Sequence, residues 1–454
     1  MTSGFDPFDR LVVERTPAWI EELRDYCRIP CETAQLLELR RGADWTAERL
    51  RRAGCTVELI ERPGVAPLVV GEIGSGDRSL ICVQHYDVQP AAPLELWTTP
   101  PYEPTIRDGK LYARGVSDNK GQFLIRVQAV EGYREAIGEL PCRVRFLVEG
   151  EEESSSRHFE QMLHERPELT AGDGALQEGG GLDAQDRPTL ICGVRGILYV
   201  ELAVRTLAYD AHSGGASLYE NAAWRLVSAL ATLRRPDGTV TIDGFADGVR
   251  PPSEAQLAHL RTLPFEEQKL KDLYGAKAFV GGRTGPEAQL AQLFDPTCNI
   301  AGIWSGWTGE DAKTITPAEA RVKIDMRLVP DQDPERIEAA LRAHLDRRGF
   351  DDITIKNWGG THPYWAPVDD PLVDAAARAS EAVYGTAPLR LFSSPGTAPM
   401  HQVCAPGRLP MVAIGYGHPG ARTHAPDENA RLDLMPKAAM VIGRFLEEFA
   451  TVPR

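Results

Sequence analysis

The sequence predicts a two-domain α/β protein in which a layered α/β domain, built from both ends of the chain, is interrupted by a ferredoxin-like α+β domain. Its 454 residues exceed the length at which a single hydrophobic core stops growing. Helical and strand patterns alternate over residues 1–195 and again over 362–454, as they do in α/β layers. Residues 196–361 instead follow the order β-α-β-β-α-β, which is typical of a ferredoxin-like unit.

The outer domain opens with a predicted helix over residues 8–28, because Leu11, Trp19 and Leu23 recur near helical spacing and Pro30 ends the pattern. The later patterns predict helices over 46–53, 120–136 and 436–449, and strands over 67–72, 80–83, 143–149 and 409–415. The run GEIGSG at 71–76 resembles a dinucleotide-binding loop, but it opens no helix. We expect it to be a hairpin turn.

The inserted domain is predicted from its own alternation of strands and helices. Strand patterns begin at 196 and recur over 300–304, 321–329 and 353–357, with helices over 217–234 and 335–348. Residues 236–296 are rich in proline, glycine and amphipathic helix, and they interrupt this unit.

Composition excludes some classes of function. The formal net charge of −15 repels nucleic acid and anionic membrane surfaces. No stretch approaches 18 apolar residues, and the first residues lack an export signal. The eight cysteines are scattered singly, mostly in apolar runs, as reduced buried thiols are. We therefore expect a cytoplasmic protein.

Two polar side chains follow the apolar strand in SLICVQHYDVQP. The strand period of two places His85 and Asp87 on one side of the strand end, where open α/β sheets collect ligands. His85 is a suitable zinc ligand, and Asp87 can accept a hydrogen bond from the other ring nitrogen. A polar strand end that caps its own loop is the alternative.

Carboxylates also occur at the ends of two further predicted segments. Asp118, in LYARGVSDNKGQ, precedes a helical pattern, so it is either an N-cap or a ligand able to bridge two cations. In VRFLVEGEEESSS, four acids crowd the end of an apolar strand, which requires either nearby cations or a solvated loop. With metals present, Glu153 can coordinate while Glu152 acts as a general base.

Glu178 in GALQEGGG and His424 in ARTHAPDEN also follow apolar runs. Each is a weak signal alone, but five strand patterns now end in metal-competent residues. Two divalent cations bring a charge of +4, which Asp118, Glu153, Glu178 and one hydroxide neutralise. That balance leaves Glu152 outside the coordination shell.

Six motifs occur together and in order: HYDVQP, LWTTPPYEPTIRDGKLYARGVSDNKG, EGEEES, DAHSG, PTCNIAGIWSGWTGEDAKT and IDMRLVP. With them the chain resembles, from about Trp45 to the C-terminus, the dizinc metallopeptidase superfamily of aminoacylases, carboxypeptidases and carnosinase-like dipeptidases, peptidase family M20. The resemblance implies a zinc-peptidase-like catalytic domain with a parallel or mixed central sheet over 1–195 and 362–454. It also implies a ferredoxin-like lid and dimerisation domain over 196–361.

By this resemblance, His85 and Glu178 hold one metal and Glu153 and His424 the other. Asp118 bridges both metals and precedes a cis peptide bond, Asp87 orients His85, and Glu152 is the general base that activates the attacking water. Two divalent ions per chain are implied, with Zn²⁺ the first candidate and Mn²⁺ or Co²⁺ possible in the same ligands.

The resemblance also implies a homodimer in which His212 reaches the partner's active site and stabilises the oxyanion. Arg327 would bind the substrate carboxylate, since a planar guanidinium suits it, and Asn299 would help to hold the same end. The alternatives are a hydrogen-bonded loop histidine for His212 and a cross-strand ion pair for Arg327.

One segment departs from the family pattern. Relatives that cleave dipeptides carry an arginine where this chain has SSPGTAPM, although Ser394, Gly396 and Thr397 can still line the pocket. The leading prediction is hydrolysis of a small carboxylate-bearing peptide, most simply a dipeptide. An N-acyl amino acid amidohydrolase or a specialised biosynthetic amidase is the enzymatic alternative, and a non-catalytic binding protein on the same fold is the remote one.

Overall fold

The computed structural model describes residues 6–33 and 35–453. The chain forms two compact units. Unit 1 consists of Met1–Gly193, Trp365–Ser394 and Pro399–Arg454, and unit 2 of Val194–Tyr364 and Pro395–Ala398.

The α-helices and β-strands are numbered in chain order. The helices are α1 (Asp6–Cys27), α2 (Leu36–Arg52), α3 (Lys120–Ala136), α4 (Arg157–Glu165), α5 (Ala222–Leu230), α6 (Glu254–Leu260), α7 (Glu267–Tyr274), α8 (Gly285–Phe294), α9 (Pro334–Arg347), α10 (Pro371–Tyr384), α11 (Met400–Cys404) and α12 (Leu434–Ala450). The strands are β1 (Thr56–Ile60), β2 (Leu68–Ile73), β3 (Ser79–His85), β4 (Thr105–Arg107), β5 (Lys110–Tyr112), β6 (Arg143–Glu149), β7 (Gly174–Gln177), β8 (Gly181–Leu182), β9 (Pro188–Ile191), β10 (Gly193–Val194), β11 (Gly196–Arg205), β12 (Ala211–His212), β13 (Asn299–Ser305), β14 (Ile315–Thr316), β15 (Glu319–Leu328), β16 (Thr354–Thr361), β17 (Tyr364–Trp365), β18 (Leu389–Leu391), β19 (Met411–Ala413) and β20 (Asn429–Arg431).

Unit 1 is built around a mixed sheet, which confirms the predicted fold class. The strand order is β1-β2-β6-β3-β7-β19-β9-β18, with β8 paired to β9. Strands β6, β3, β7 and β19 run parallel to one another, so their carboxyl ends share one edge. The hairpin expected at residues 71–76 is wrong, because β6 lies between β2 and β3 and the segment instead crosses over to the far side of β6.

Helices α1, α3 and α12 pack together beside this sheet. Helix α3 also contacts β3, and most of its residues are buried. The close approach of α12 to α1 depends on Gly443, where a Cβ atom would lie only 2.3 Å from Cε1 of Phe8. Phe8 and Phe445 are fully buried in this core, and each such side chain stabilises the fold by roughly 1.5–3 kcal/mol.

Unit 2 contains a four-stranded antiparallel sheet of order β13-β15-β11-β16, the order of a ferredoxin-like fold. Alternate residues of β11 and β15 are buried against α5 and α9. Helix α5 begins at Ala222 rather than at the predicted residue 217, because the Asn221 side chain accepts hydrogen bonds from the amides of Ala223 and Trp224 at 2.9 and 3.3 Å. Residues 236–296 contribute α6, α7 and α8.

Across the described part of the chain, no helix combines the length and the apolar character needed to cross a membrane.

Candidate metal centre and active site

The carboxyl ends of three neighbouring parallel strands bring polar side chains of unit 1 together. His85 is the last residue of β3 and lies in register with Glu149 at the end of β6. Glu152 and Glu153 follow β6 within one short turn, and Glu178 follows β7 directly. Strand ends of an open α/β sheet are where ligands bind.

His85 contacts two carboxylates through one ring nitrogen. Its Nε2 lies 3.0 Å from Oδ1 of Asp118 and 3.0 Å from Oε2 of Glu178. Ligands of one tetrahedral zinc ion stand about 3.4 Å apart, given metal–ligand distances near 2.1 Å. Nε2 of His85 is therefore close enough to each of these two oxygens to share a cation with it.

His424 forms a second group of contacts on the other oxygen of Asp118. Its Nε2 lies 3.1 Å from Oδ2 of Asp118 and 3.1 Å from Oε2 of Glu153. Asp118 thus connects the two histidines, one through each oxygen, and the peptide bond that follows it is cis. The cis bond agrees with the expectation from the family resemblance.

Two further combinations of these residues have ligand atoms that all lie within 4.8 Å of one another. They are His85 with Asp118 and Glu153, and His85 with Glu152 and Glu178. Glu152, however, stands back from His85, at 3.9 Å from Nε2. We favour the grouping by the shorter contacts, which leaves Glu152 outside both groups.

Asp87 contacts both His85 and the turn that follows β6. Its backbone oxygen lies 3.0 Å and its Oδ1 3.2 Å from Nδ1 of His85, so Nδ1 carries the hydrogen and Nε2 is left to face the carboxylates. The same carboxylate accepts hydrogen bonds from the amides of Glu152 and Glu153, at 3.3 and 3.1 Å. One side chain therefore orients His85 and the two glutamates together.

The charges of the cluster are poorly compensated by protein groups. Over residues 6–33 and 35–453, no lysine or arginine forms a salt bridge with Asp118, Glu152, Glu153 or Glu178. Burial raises the pKa of Glu152 well above its ordinary value, and the charge of Glu178 adds to the effect. Burial also raises the pKa of Glu178.

The neighbouring carboxylates favour protonated histidines. Burial lowers the pKa of His85, but Glu178, Asp118 and Asp87 outweigh it and hold the pKa well above its ordinary value. Hydrogen bonds to Asp118 and Glu153 raise the pKa of His424 to about 10. Protons therefore occupy the positions that cations would take.

These residues fit a pair of divalent cations. They supply imidazole and carboxylate groups, the ligands that zinc and similar metals prefer. Oε1 of Glu153 is buried without a hydrogen-bond partner, although Oε2 accepts one from Gln89 at 3.1 Å. A buried carboxylate oxygen that lacks a donor is costly unless a cation lies beside it.

Sequence reasoning missed the residue that holds Asp118 in place. Glu428 is fully buried, and its carboxylate accepts hydrogen bonds from the amides of Gly115, Ser117 and Asp118 at 2.9–3.0 Å. Arg114 pairs with the same carboxylate at 2.8 Å. Because Glu428 lies four residues after His424, one short segment carries a predicted ligand and also anchors the loop of another.

Arg126 on α3 was also missed. It is fully buried and donates to the carbonyl oxygens of Gln177 and Ile414, both at 2.7 Å. It thereby connects the end of β7, next to Glu178, with the residue after β19. A basic residue inside a helical pattern gives no sequence signal for this role.

In unit 2, two of the predicted substrate-binding residues contact each other. Nη1 of Arg327 donates to Oγ1 of Thr397 at 2.8 Å, and the oxygen of Gly396 accepts from the amide of Arg195 at 3.0 Å. The alternative of a cross-strand ion pair for Arg327 is not observed, since no carboxylate of the described residues forms a salt bridge with it.

Asn299 and His212 are exposed on unit 2. Asn299 donates to Asp325 at 2.8 Å. Nδ1 of His212 accepts a hydrogen bond from the amide of Gly214 at 3.0 Å, the local contact of the loop-histidine alternative.

The model of "Peptidase family M20/M25/M40" matches residues 82–448. The chain is 30% identical over 363 residues to the Beta-Ala-His dipeptidase of Mus musculus, covering 75% of this chain and 73% of that protein. It is 27% identical over 402 residues to the Cys-Gly metallodipeptidase of Schizosaccharomyces pombe, covering 85% and 83%. An M20 family metallo-carboxypeptidase from Sulfolobus solfataricus superposes with a TM-score of 0.90 at 33% identity, covering 95% and 99%. The predicted family and enzyme class are thereby confirmed.

Proposed function

The chain belongs to peptidase family M20/M25/M40, and we propose that it hydrolyses the peptide bond of a small peptide with a free carboxylate, in the first place a dipeptide. The observation that carries the proposal is the pair of histidines joined through the two oxygens of Asp118, with Glu152 beside them. The names of the dipeptidase relatives support the choice of substrate.

We assign His85 and Glu178 to one divalent cation, His424 and Glu153 to a second, and Asp118 to both. When bound, the cations polarise the scissile carbonyl and make water a better nucleophile. Zn²⁺ suits imidazole and carboxylate ligands, while Mn²⁺ or Co²⁺ can use the same set.

Glu152 is assigned as general base. It lies beside the cluster without belonging to either ligand group, so its carboxylate is available to take a proton from the attacking water. It then delivers that proton to the leaving amine. Asp87 keeps both Glu152 and His85 oriented during this exchange.

Four of the predicted residues are assigned to the carboxylate end of the substrate. Arg327 is assigned to the substrate carboxylate, with Thr397, Gly396 and Asn299 at the same end. His212 is assigned to the oxyanion in the active site of a partner subunit, so the proposed form is a homodimer. The eight free cysteines support the expected cytoplasmic location.

The test is a panel of substrates assayed on protein stripped of metal and then reloaded with Zn²⁺, Mn²⁺ or Co²⁺. Dipeptides, their C-terminal amides and N-acyl amino acids should be compared under each condition. We expect metal-dependent cleavage of dipeptides. Strong activity on N-acyl amino acids alone would instead establish the amidohydrolase alternative, and no hydrolysis with any metal would contradict an enzymatic role.

A further inference from the structure

Arg195, the residue that precedes β11, has no role in the mechanism above, yet it is one of the most buried arginines of unit 2. Only 6% of its surface is exposed. Its backbone amide donates to the oxygen of Gly396 in the segment Pro395–Ala398, which packs with unit 2. Arg195 therefore touches the segment in which the family's usual arginine is missing.

The guanidinium of Arg195 is held by the end of a helix and by no carboxylate. Nη2 donates to the carbonyl oxygens of Gln292 and Leu293 at 2.6 and 2.9 Å, and Nη1 to that of Asp295 at 3.0 Å. Gln292 and Leu293 lie in the last turn of α8 and Asp295 follows it directly, and carbonyl groups at a helix C-terminus lack partners within the helix and favour a cation. The carboxylate of Asp295 is engaged elsewhere, 2.9 Å from Arg283.

Arg195 also lies close enough to Arg327 for their charges to interact. Burial lowers the pKa of Arg195 and the positive charge of Arg327 lowers it further, while the negative charge of Asp295 opposes this lowering. Within the described residues no carboxylate forms a salt bridge with either guanidinium. Two neighbouring cations whose nearby carboxylate, that of Asp295, is already paired with Arg283 are unfavourable, and a bound carboxylate would reduce that cost.

We propose that Arg195 is a positioning residue for the carboxylate end of the substrate, supplying a second positive charge beside Arg327 at Gly396 and Thr397. It does not touch the substrate, because its donors are occupied by α8. The inference rests on the proposed function, since it takes Arg327 to bind the carboxylate. It explains how the chain can select a free carboxylate without an arginine in SSPGTAPM.

The experiment compares kcat/KM for a dipeptide with kcat/KM for the same dipeptide as its C-terminal amide. Both Arg195→Gln and Arg195→Lys can still donate to α8, but only the lysine keeps the charge. We expect the preference for the free carboxylate to fall about tenfold in Arg195→Gln, mainly through KM, and to stay within about twofold of the parent in Arg195→Lys.

The matched control is Arg342→Gln, because Arg342 also donates to backbone carbonyl oxygens of unit 2, those of Phe350 and Ile353, but has no hydrogen bond to Asp295 or Gly396. It should keep the parental preference, and thermal unfolding should verify that each variant is folded. If Arg195→Gln fails to fold, Arg195→Lys still tests the proposal. A large loss of the preference for the free carboxylate in this variant, which keeps the charge, would overturn the proposal. An unchanged preference in a folded Arg195→Gln would overturn it as well. A parent that cleaves neither substrate would contradict the proposed function itself.

Discussion

The two units place their polar residues in opposite ways. In unit 1, acids and histidines at the strand ends contact one another, and the buried residues Asp87 and Glu428 orient several of them. In unit 2, His212 and Asn299 are exposed, and Arg327 donates to a hydroxyl but forms no salt bridge with a carboxylate of the described residues. The first arrangement supports the proposed metal centre, whereas the second supports the proposed contacts to a substrate and a second subunit.

The largest expected effect tests whether Glu152 acts as the general base and not as a metal ligand in unit 1. Glu152→Gln keeps the size of the side chain but removes the proton acceptor, so kcat should fall about a thousandfold while the metal content stays near two ions per chain. Elemental analysis and steady-state kinetics check both values. The matched control is Glu151→Gln, because Glu151 is the preceding acid but pairs with His158 at 2.7 Å. Comparable losses in both variants would contradict the assignment of Glu152.

A smaller effect is expected when the support of a ligand is weakened. Glu428→Gln leaves an amide in place of the carboxylate that accepts from the Asp118 loop and pairs with Arg114. Metal affinity should fall by about 10- to 100-fold, as is usual for partners that orient ligands. Titration calorimetry with Zn²⁺ measures it. The control is Glu72→Gln, which weakens the salt bridge between the half-exposed Glu72 and Arg145. Equal losses of metal affinity in the two variants would show that Glu428 acts only through the stability of the fold.

Most of the fold could be predicted because its signals are local. Helix α3 and strand β6 have the predicted bounds, since each is a long apolar pattern with clear ends. The pairing of strands could not be read in the same way. The predicted hairpin at residues 71–76 is wrong because strands that are adjacent in sequence need not be adjacent in the sheet, and β6 lies between β2 and β3.

The cluster in unit 1 was predictable for a related reason. His85 and Glu178 end or follow strands of one parallel sheet, so the sheet itself brings them together. Glu428 and Arg126 gave no such signal, because their roles are hydrogen bonds to backbone groups far away in sequence. Likewise, no pattern links Arg195 to residue 396, and only the folded chain brings them into contact.

The linkage between protons and metal gives a third test of unit 1. In the metal-free cluster the pKa of His85 is well above its ordinary value and that of His424 is about 10. Both rings must lose a proton to bind a cation, so affinity should fall as the pH falls through the range below the raised pKa values. We expect a loss of at least about tenfold per pH unit between about pH 8 and about pH 6. Calorimetry in buffers of different ionisation enthalpy counts the released protons, and a pH-independent affinity would contradict the proposed ligands.

The smallest expected change in activity concerns His212 of unit 2. If His212 serves the active site of a partner subunit, a heterodimer of Glu152→Gln and His212→Asn contains one centre that lacks its base and one complete centre. Such a heterodimer, isolated with two different affinity tags, should retain about half of the parental activity, although each homodimeric variant is nearly inactive.

The control is a heterodimer of Glu152→Gln and His424→Asn, in which each chain carries a defect of its own unit 1. Pairing cannot repair either centre there, so it should stay nearly inactive. Activity in this control would mean that pairing merely stabilises weak variants. An inactive Glu152→Gln and His212→Asn heterodimer would instead show that His212 acts in the active site of its own chain. A second subunit would then not explain why His212 is exposed.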